Sequence, residues 1–529
     1  MVSSMTPQHI DAPAVLQGVA LVCLVWSVFI FLVQAVGILQ LFRYFSSPPP
    51  KPVSPTLRKD EVPHITIIRP VKGWEDGWYD CLAATFRQDY PRDKTTIYLC
   101  VDSTADPSYP FLQRLVQEFP DWDSEILIEQ SDPVLHGSGG KVDNLGPNPK
   151  IRNISRAYRE AKGDIIWIVD ANVWISRGVA GRMVDKLCGF RPHGQRVRPF
   201  KFVHQLPLVT DIPRATTTTT SSSPPSSAPS PSSWWGGRLD EMFMSTTHAK
   251  FYSAINTVGV APCIVGKSNM FRKSHLETFT DPSQNPLLSS SASVRGRGID
   301  FFSSYICEDH LIGELLWRSY LPGFFNHGLV FGDLAIQPTC RMSASDYVAR
   351  RVRWLRVRKW TVTLATLVEP GVESLLCCAY FSFAVTTLPW FRPYVPGTWT
   401  AMAGVWVLFV TMWMLMDRLV SSLLLRCRSV EVDENTPSFA RGVGRQAGLP
   451  PRPFLSWLAT WIGRETLALP IWIWAVLLGT TVEWRGKKFS VRMDMRVVEI
   501  PTGGEAEPPE TVPLVNGSGA GRRSKDRVE

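Results

Sequence analysis

The feature that most constrains this chain is the run 12–42, which has no charged side chain and includes Val15, Leu21, Trp26, Phe29, Ile30, Leu32 and Leu39. A bilayer is crossed by about 20 apolar helical residues, so the run is long enough to span with tilt to spare. No basic stretch precedes it and no small-residue cleavage site follows, so an anchor over 15–42 is expected rather than a cleaved leader. Only Asp11 lies before it, whereas Arg43, Lys51, Arg58 and Lys59 come after. Basic flanks stay cytosolic, which puts residues 1–14 in the lumen and the region that follows in the cytosol.

Three more apolar runs lie toward the C-terminus. Spans over 372–391 and 396–425 are parted by Arg392 and a Pro-containing turn, and they read as a helical hairpin. A third run, 466–483, contains Pro470 and is open to three readings: a span, a re-entrant segment or a helix in the interface. Residues 426–464 carry Arg426, Arg428, Arg441, Arg445, Arg452 and Arg464 and are expected to form a basic cytosolic loop. The tail, 484–529, opens on Arg485, Lys487 and Lys488, and its distal part is expected to be disordered. Both flanks of the third run are basic, so charge alone does not choose the tail's side.

Residues 59–369 contain no spanning run. HITIIR (64–69), TTIYLCVD (95–102) and DIIWIVD (164–170) are continuous apolar strands, and helical spacing lies between them at 110–119 and 150–162. Alternating β and α with continuous apolar strands predicts an α/β domain with a parallel sheet covered on both faces. Ligands bind such sheets at the carboxyl ends of the strands, where Asp102 and Asp170 fall. Two insertions, 215–233 (Thr/Ser/Pro) and 281–297 (Ser-rich), cannot bury a core and are read as disordered loops. The ten Cys show no CxxC pair and no zinc-type spacing, so buried or membrane thiols are expected.

Four elements carry possible chemistry. They are Asp102 with Asp106 in CVDSTADP, Asp170 in IVDANV, Glu308-Asp309 in ICEDHLIGELLW, and Arg350, Arg351, Arg353 and Trp354 in RRVRW. A lone strand-end Asp is ordinarily a turn or cap residue, an acidic pair can simply favour a helix N-terminus, and an arginine run can be a juxtamembrane patch. Together they match what transfer from a sugar nucleotide needs: cations on a leaving diphosphate, carboxylates for a hard metal, and a base near the acceptor hydroxyl.

The chain resembles the ceramide glucosyltransferases, membrane enzymes built on the GT-A glycosyltransferase fold. The resemblance rests on IRPVKG (68–73), FRQDYP (86–91), NPKIRN (148–153), IVDANV (168–173), VHQLP (203–207), IVGKSNMFRKS (264–274), EDHLIG (308–313) and RRVRW (350–354). It implies a Rossmann-like mixed or parallel GT-A sheet in a cytosolic domain flanked by transmembrane helices. It also implies transfer of glucose from UDP-glucose to the primary hydroxyl of ceramide with inversion, as the first step of glycosphingolipid synthesis in Golgi or ER membranes. Asp309 is then the general base, and Asp102, Asp170, Lys72, Lys150, Arg350 and Arg353 hold the donor diphosphate. A divalent cation, Mg2+ or Mn2+, would be held mainly by Asp170, because the second motif reads DAN and not DxD. The first acidic motif leaves Asp102 and Asp106 open. Trp354 would line the acceptor side together with His204, although a histidine in FVHQLPLV is ordinarily a packed strand residue. The partners implied are UDP-glucose, ceramide and the bilayer. The net charge of +9 concentrates near the membrane ends and RRVRW, which is no pattern for nucleic acid. Two other readings share some of these features: a processive polysaccharide synthase of the same fold, which needs a transmembrane channel, and a non-catalytic nucleotide-sugar binder.

Overall fold

The computed structural model describes residues 14–136, 145–212, 235–286, 288 and 296–500. The loop expected over 215–233, residues 287 and 289–295 of that expected over 281–297, residues 1–13 of the expected lumenal segment and the distal tail lie outside the described residues.

Seven strands form one mixed sheet: β1 (Ile65–Pro70), β2 (Thr95–Val101), β3 (Asp123–Ile128), β4 (Ile165–Val169), β5 (Phe200–Asp211), β6 (Ser268–Arg272) and β7 (Phe325–Thr339). Their order is β3-β2-β1-β4-β6-β5-β7. The first four are mutually parallel, β6 runs antiparallel to both β4 and β5, and β5 pairs parallel with β7. Every residue of β1, β2 and β4 is buried. That burial is why these strands are apolar without interruption instead of alternating. One apolar core on each face of the sheet follows: Ile67, Leu99, Trp167 and Val203 on one side, and Ile68, Tyr98, Ile166 and Phe202 on the other. The order 3-2-1-4 places a topological switch between β1 and β4, whose carboxyl ends diverge to open a crevice.

Two described helices are long and apolar enough to cross a membrane, Ala14–Phe45 and Trp399–Leu425. The pair Thr363–Val372 and Ser374–Thr387 passes the same test only jointly, and it is bent by 71°. The run expected as a span over 372–391 is therefore a bent element, and its straight helix ends at Thr387 ahead of the short turn Pro389–Phe391. Ala14–Phe45 packs against both this element and Trp399–Leu425.

The basic loop expected over 426–464 is cut short by a helix, and the run over 466–483, expected to span, re-enter or lie in the interface, is shared between that helix and the strand after it. This helix begins at Phe454 and runs to Trp472, continuing as a π-turn Ile473–Leu477 just after Pro470, where the missing proline N–H breaks the regular ladder. Arg464 lies inside it and is 2% exposed, with Nη1 and Nη2 on the Glu373 carboxylate at 2.6 and 2.7 Å. Ahead of the helix, Arg452 donates to the Asp211 carbonyl at 2.7 Å and to Glu241 at 2.9 Å. Beyond it, the Thr481 carbonyl accepts from Arg356 at 2.6 Å. Residues flanking the helix on both sides are thus hydrogen-bonded to the sheet domain and its helix Ala344–Arg358. The segment after it forms a second sheet, ordered β10-β9-β8, from β8 (Thr481–Trp484), β9 (Lys487–Val491) and β10 (Val497–Ile500).

Candidate active site

The crevice is built from strand ends. β1 runs out into Val71, Lys72 and Gly73, β2 into Asp102, and β4 into Asp170. Asn153 ties the first two ends together, donating to the carbonyls of Val71 and Cys100 at 3.3 and 3.0 Å. Asp106 does structural work here. Its carboxylate accepts the Gly73 N–H at 3.0 Å and the Ser108 N–H and hydroxyl at 2.9 and 2.6 Å. Gly73 has φ +72, a conformation a side chain would resist. Asp102 stays available, 37% exposed at its side chain and 3.4 Å from the Lys72 ammonium. The first acidic motif therefore divides its labour: Asp106 shapes the loop and Asp102 faces the crevice.

Asp170 sits between two lysines, with Oδ1 3.0 Å from Lys150 and Oδ2 3.0 Å from Lys267. Burial alone would raise its carboxyl, but the two ammonium groups outweigh that and hold it well below the usual carboxylate range. Lys150 also contacts Glu308 at 3.1 Å. Its own burial favours the neutral amine, yet Asp170, Glu308 and Asp309 hold it protonated. Lys267 has one carboxylate partner against the same burial and is shifted down. Asn148 positions this corner: its side chain caps the helix Pro149–Arg159 by accepting the N–H groups of Lys150 and Ile151, and donates to Glu308 at 3.2 Å.

The acidic helix Glu308–Arg318 opens on the two carboxylates. Glu308 is consumed by Lys150 and Asn148, whereas Asp309 forms no ion pair among the described residues. It accepts the His310 N–H in the first turn. Burial raises its carboxyl; Lys150 opposes that shift and the charge of Asp170 adds to it. Gly266 lies against this carboxylate. A Cβ built there would fall 2.8 Å from Oδ2 and 2.9 Å from Cγ of Asp309.

The far wall is the helix Ala344–Arg358, started by a capping box between Ser343 and Asp346. Arg350 donates to Gln337 at 3.2 Å, lies 3.5 Å from Asp240 and stacks over Trp354 at 4.7 Å. Arg353 is half-buried with no acceptor among the described residues, and burial plus the guanidinium groups of Arg350 and Arg485 push it down to about 10. Trp354 packs with Phe243, Leu355 and Ile471.

Two expectations need correction. His204 is fully buried, pairs with Tyr252 through Nδ1 and stacks on His327 at 5.5 Å. It is a packed strand histidine walled off from any acceptor. The donor set expected around a metal at Asp170 is not assembled either. Both Asp170 oxygens face ammonium groups, and no group of three or more His, Cys, Asp or Glu positioned for a metal exists among the described residues. A residue the motif reading passed over is Lys267. Its place beside Asp170 comes from the antiparallel pairing of β6 with β4, where Val169 faces Ser268.

The model of glycosyl transferase family 21 matches residues 20–212 and 285–497. The chain belongs to this family. A ceramide glucosyltransferase of Pyricularia oryzae is 58% identical over 497 residues, covering 93% of this chain and 97% of its own. One from Gibberella zeae is 49% identical over 481 residues, covering 87% and 90%. A mannosyltransferase from Pyrobaculum calidifontis, solved with GDP-Man and Mn2+, is 16% identical, covering 78% and 98%, with a TM-score of 0.38. This family 21 chain is thus a glycosyltransferase, with the GT-A arrangement its motifs imply and two helices fit to cross a membrane.

Proposed function

We propose that this protein transfers glucose from UDP-glucose to the primary hydroxyl of ceramide, giving β-glucosylceramide and UDP, at the cytosolic face of a Golgi or ER membrane. The observation that carries the reading is one half-buried carboxylate, Asp309, left without an ion pair next to another, Asp170, that two lysines keep ionised. The ceramide oxygen attacks the anomeric carbon as its proton passes to Asp309, and the bond from that carbon to the UDP oxygen breaks. In-line attack on an α-linked donor gives the β product. The burial that raises the Asp309 carboxyl makes it a better proton acceptor. Lys72, Lys150, Lys267, Arg350 and Arg353 supply the positive charge that the departing diphosphate needs. Trp354, packed against Phe243 and Ile471, is the acceptor-side wall. The names and identities of the family 21 relatives support the choice of sugar and lipid.

The test is transfer by detergent-purified protein supplied with UDP-glucose and ceramide, run in parallel with Mg2+ and with a chelator. The expected product is chloroform-soluble and carries one glucose per lipid; a long water-soluble chain would mark a processive synthase instead. Asp309→Asn should cut turnover by about 10²–10⁴-fold, the usual worth of a general base, while UDP still binds. Near-normal turnover by that variant refutes the base assignment.

A further inference from the structure

The second sheet, β8 to β10, has no part in the reaction just described, yet its turn reaches the active site. β8 and β9 are joined by the two residues Arg485 and Gly486, with φ 53 and 78, the primed hairpin geometry. Asn, Asp or Gly ordinarily takes the first of these positions, because left-handed backbone crowds a Cβ. Here a long cation takes it. A hairpin tip is usually solvated, and Gly486 and Lys487 are indeed exposed, but Arg485 is half-buried.

The sheet is docked so as to hold that side chain in place. Phe489, Val491 and Val497 pack with Val357 of the arginine helix and with Ile306 and Cys307, the residues just ahead of Glu308. The Val497 N–H donates to the Ser304 carbonyl at 2.9 Å, and Arg356 grips the Thr481 carbonyl. The hairpin therefore bridges the two walls of the crevice, acidic on one side and basic on the other. Arg485 lies within electrostatic reach of Asp170, Glu308, Asp102 and Asp106, but it forms no ion pair with any of them among the described residues. Its guanidinium lies 5.4 Å from the Trp484 ring. Arg353 is its neighbour, another half-buried guanidinium without an acceptor among the described residues, and the two repel each other. Two desolvated guanidiniums facing one crevice, neither carrying a carboxylate partner among the described residues, leave a place for an anion with several acceptor oxygens.

Resting on the reading of this crevice as a nucleotide-sugar site, we infer that Arg485 closes it from the C-terminal side and, with Arg353, binds the diphosphate of the nucleoside diphosphate. The second sheet is a built-in cover that completes the leaving-group site.

Equilibrium binding of UDP and of uridine to the full-length, detergent-solubilised protein tests this. Arg485→Ala should weaken UDP by about tenfold or more, the scale of one charge-assisted contact, and leave uridine within about twofold. Arg485→Lys should recover part of the loss. Lys488→Ala, on the exposed side of the hairpin, should change neither ligand. A folded Arg485→Ala protein that binds UDP like the parent overturns the inference, and so does an equal loss for UDP and uridine, which would mark a purely structural hairpin. If the alanine variant fails to fold, Arg485→Gln, which keeps the stem and the turn, carries the same comparison. A parent protein that binds no UDP refutes the nucleotide-sugar reading itself, an outcome distinct from either.

Discussion

Lys150 is the ammonium on which three carboxylates depend, and Lys150→Met removes it at nearly constant volume. It bridges Asp170 at 3.0 Å and Glu308 at 3.1 Å, with its own side chain only 10% exposed and that of Glu308 6%. Deleting one partner of a buried ion pair costs about 3–5 kcal/mol, because the charge left behind is desolvated without compensation. Asp170 keeps Lys267, so the cost falls mainly on Glu308, which retains only the Asn148 amide. For a domain of this size, that energy corresponds to a drop on the order of 10 °C in the unfolding midpoint. If the orphaned Glu308 charge is the cause, Glu308→Gln in the Lys150→Met background should restore much of the loss, whereas Glu308→Gln alone should destabilise. The assay is thermal unfolding of the four purified proteins followed by tryptophan fluorescence. Strict additivity of the two single changes, or a Lys150→Met midpoint equal to the parent's, refutes the assignment of Lys150 as the hub.

Two further outcomes are expected. Gly266→Ala places a methyl 2.8 Å from Asp309 Oδ2 and displaces the proposed base, so kcat should fall while UDP affinity holds, as measured by steady-state kinetics beside direct binding. The pH profile of kcat/KM should lose activity on the acid side at a pH above the ordinary Asp range near 3.9, because Asp309 acts deprotonated and burial raises its carboxyl; Asp170, held low by its lysines, should contribute no limb there.

How much was legible in the sequence depends on how far apart the interacting residues lie. β1, β2 and β4 are readable because each must be apolar throughout to be buried on both faces, and their acidic ends fall where ligands bind such sheets. The division between Asp102 and Asp106 is not readable, since it turns on the Gly73 N–H approaching from another strand. Lys267 escapes for the same reason, as only the β4–β6 register sets it beside Asp170. The loop expected over 426–464 ends at Pro453 instead, an overreach that came from treating each arginine as solvated. Arg464 is neutralised by Glu373 and Arg452 by Glu241, and neither partner is near in sequence. Counting charges along a segment places loops correctly only where the charges are not already paired across the fold.

The coupling between the donor crevice and the membrane-proximal elements follows from one helix serving both. Ala344–Arg358 turns Arg350 and Arg353 toward the crevice, while Arg351 and Arg358 both hold Glu369 at the bend leading into Ser374–Thr387. Its last turn, with Lys359 just beyond, faces the end of the helix that starts at Phe454. There Arg356 donates to the Trp474 carbonyl at 3.3 Å and Lys359 to that of Val476. A helix end leaves its final carbonyls without internal partners and carries a partial negative charge, so these two cations satisfy acceptors that would otherwise need water at an apolar boundary. The same Arg356 secures Thr481 at the root of the hairpin that carries Arg485. A shift of the helix that starts at Phe454 must therefore move the arginine helix and the hairpin with it. The cations facing the crevice are thus tied through one helix to both the bend before Ser374–Thr387 and the hairpin that carries Arg485.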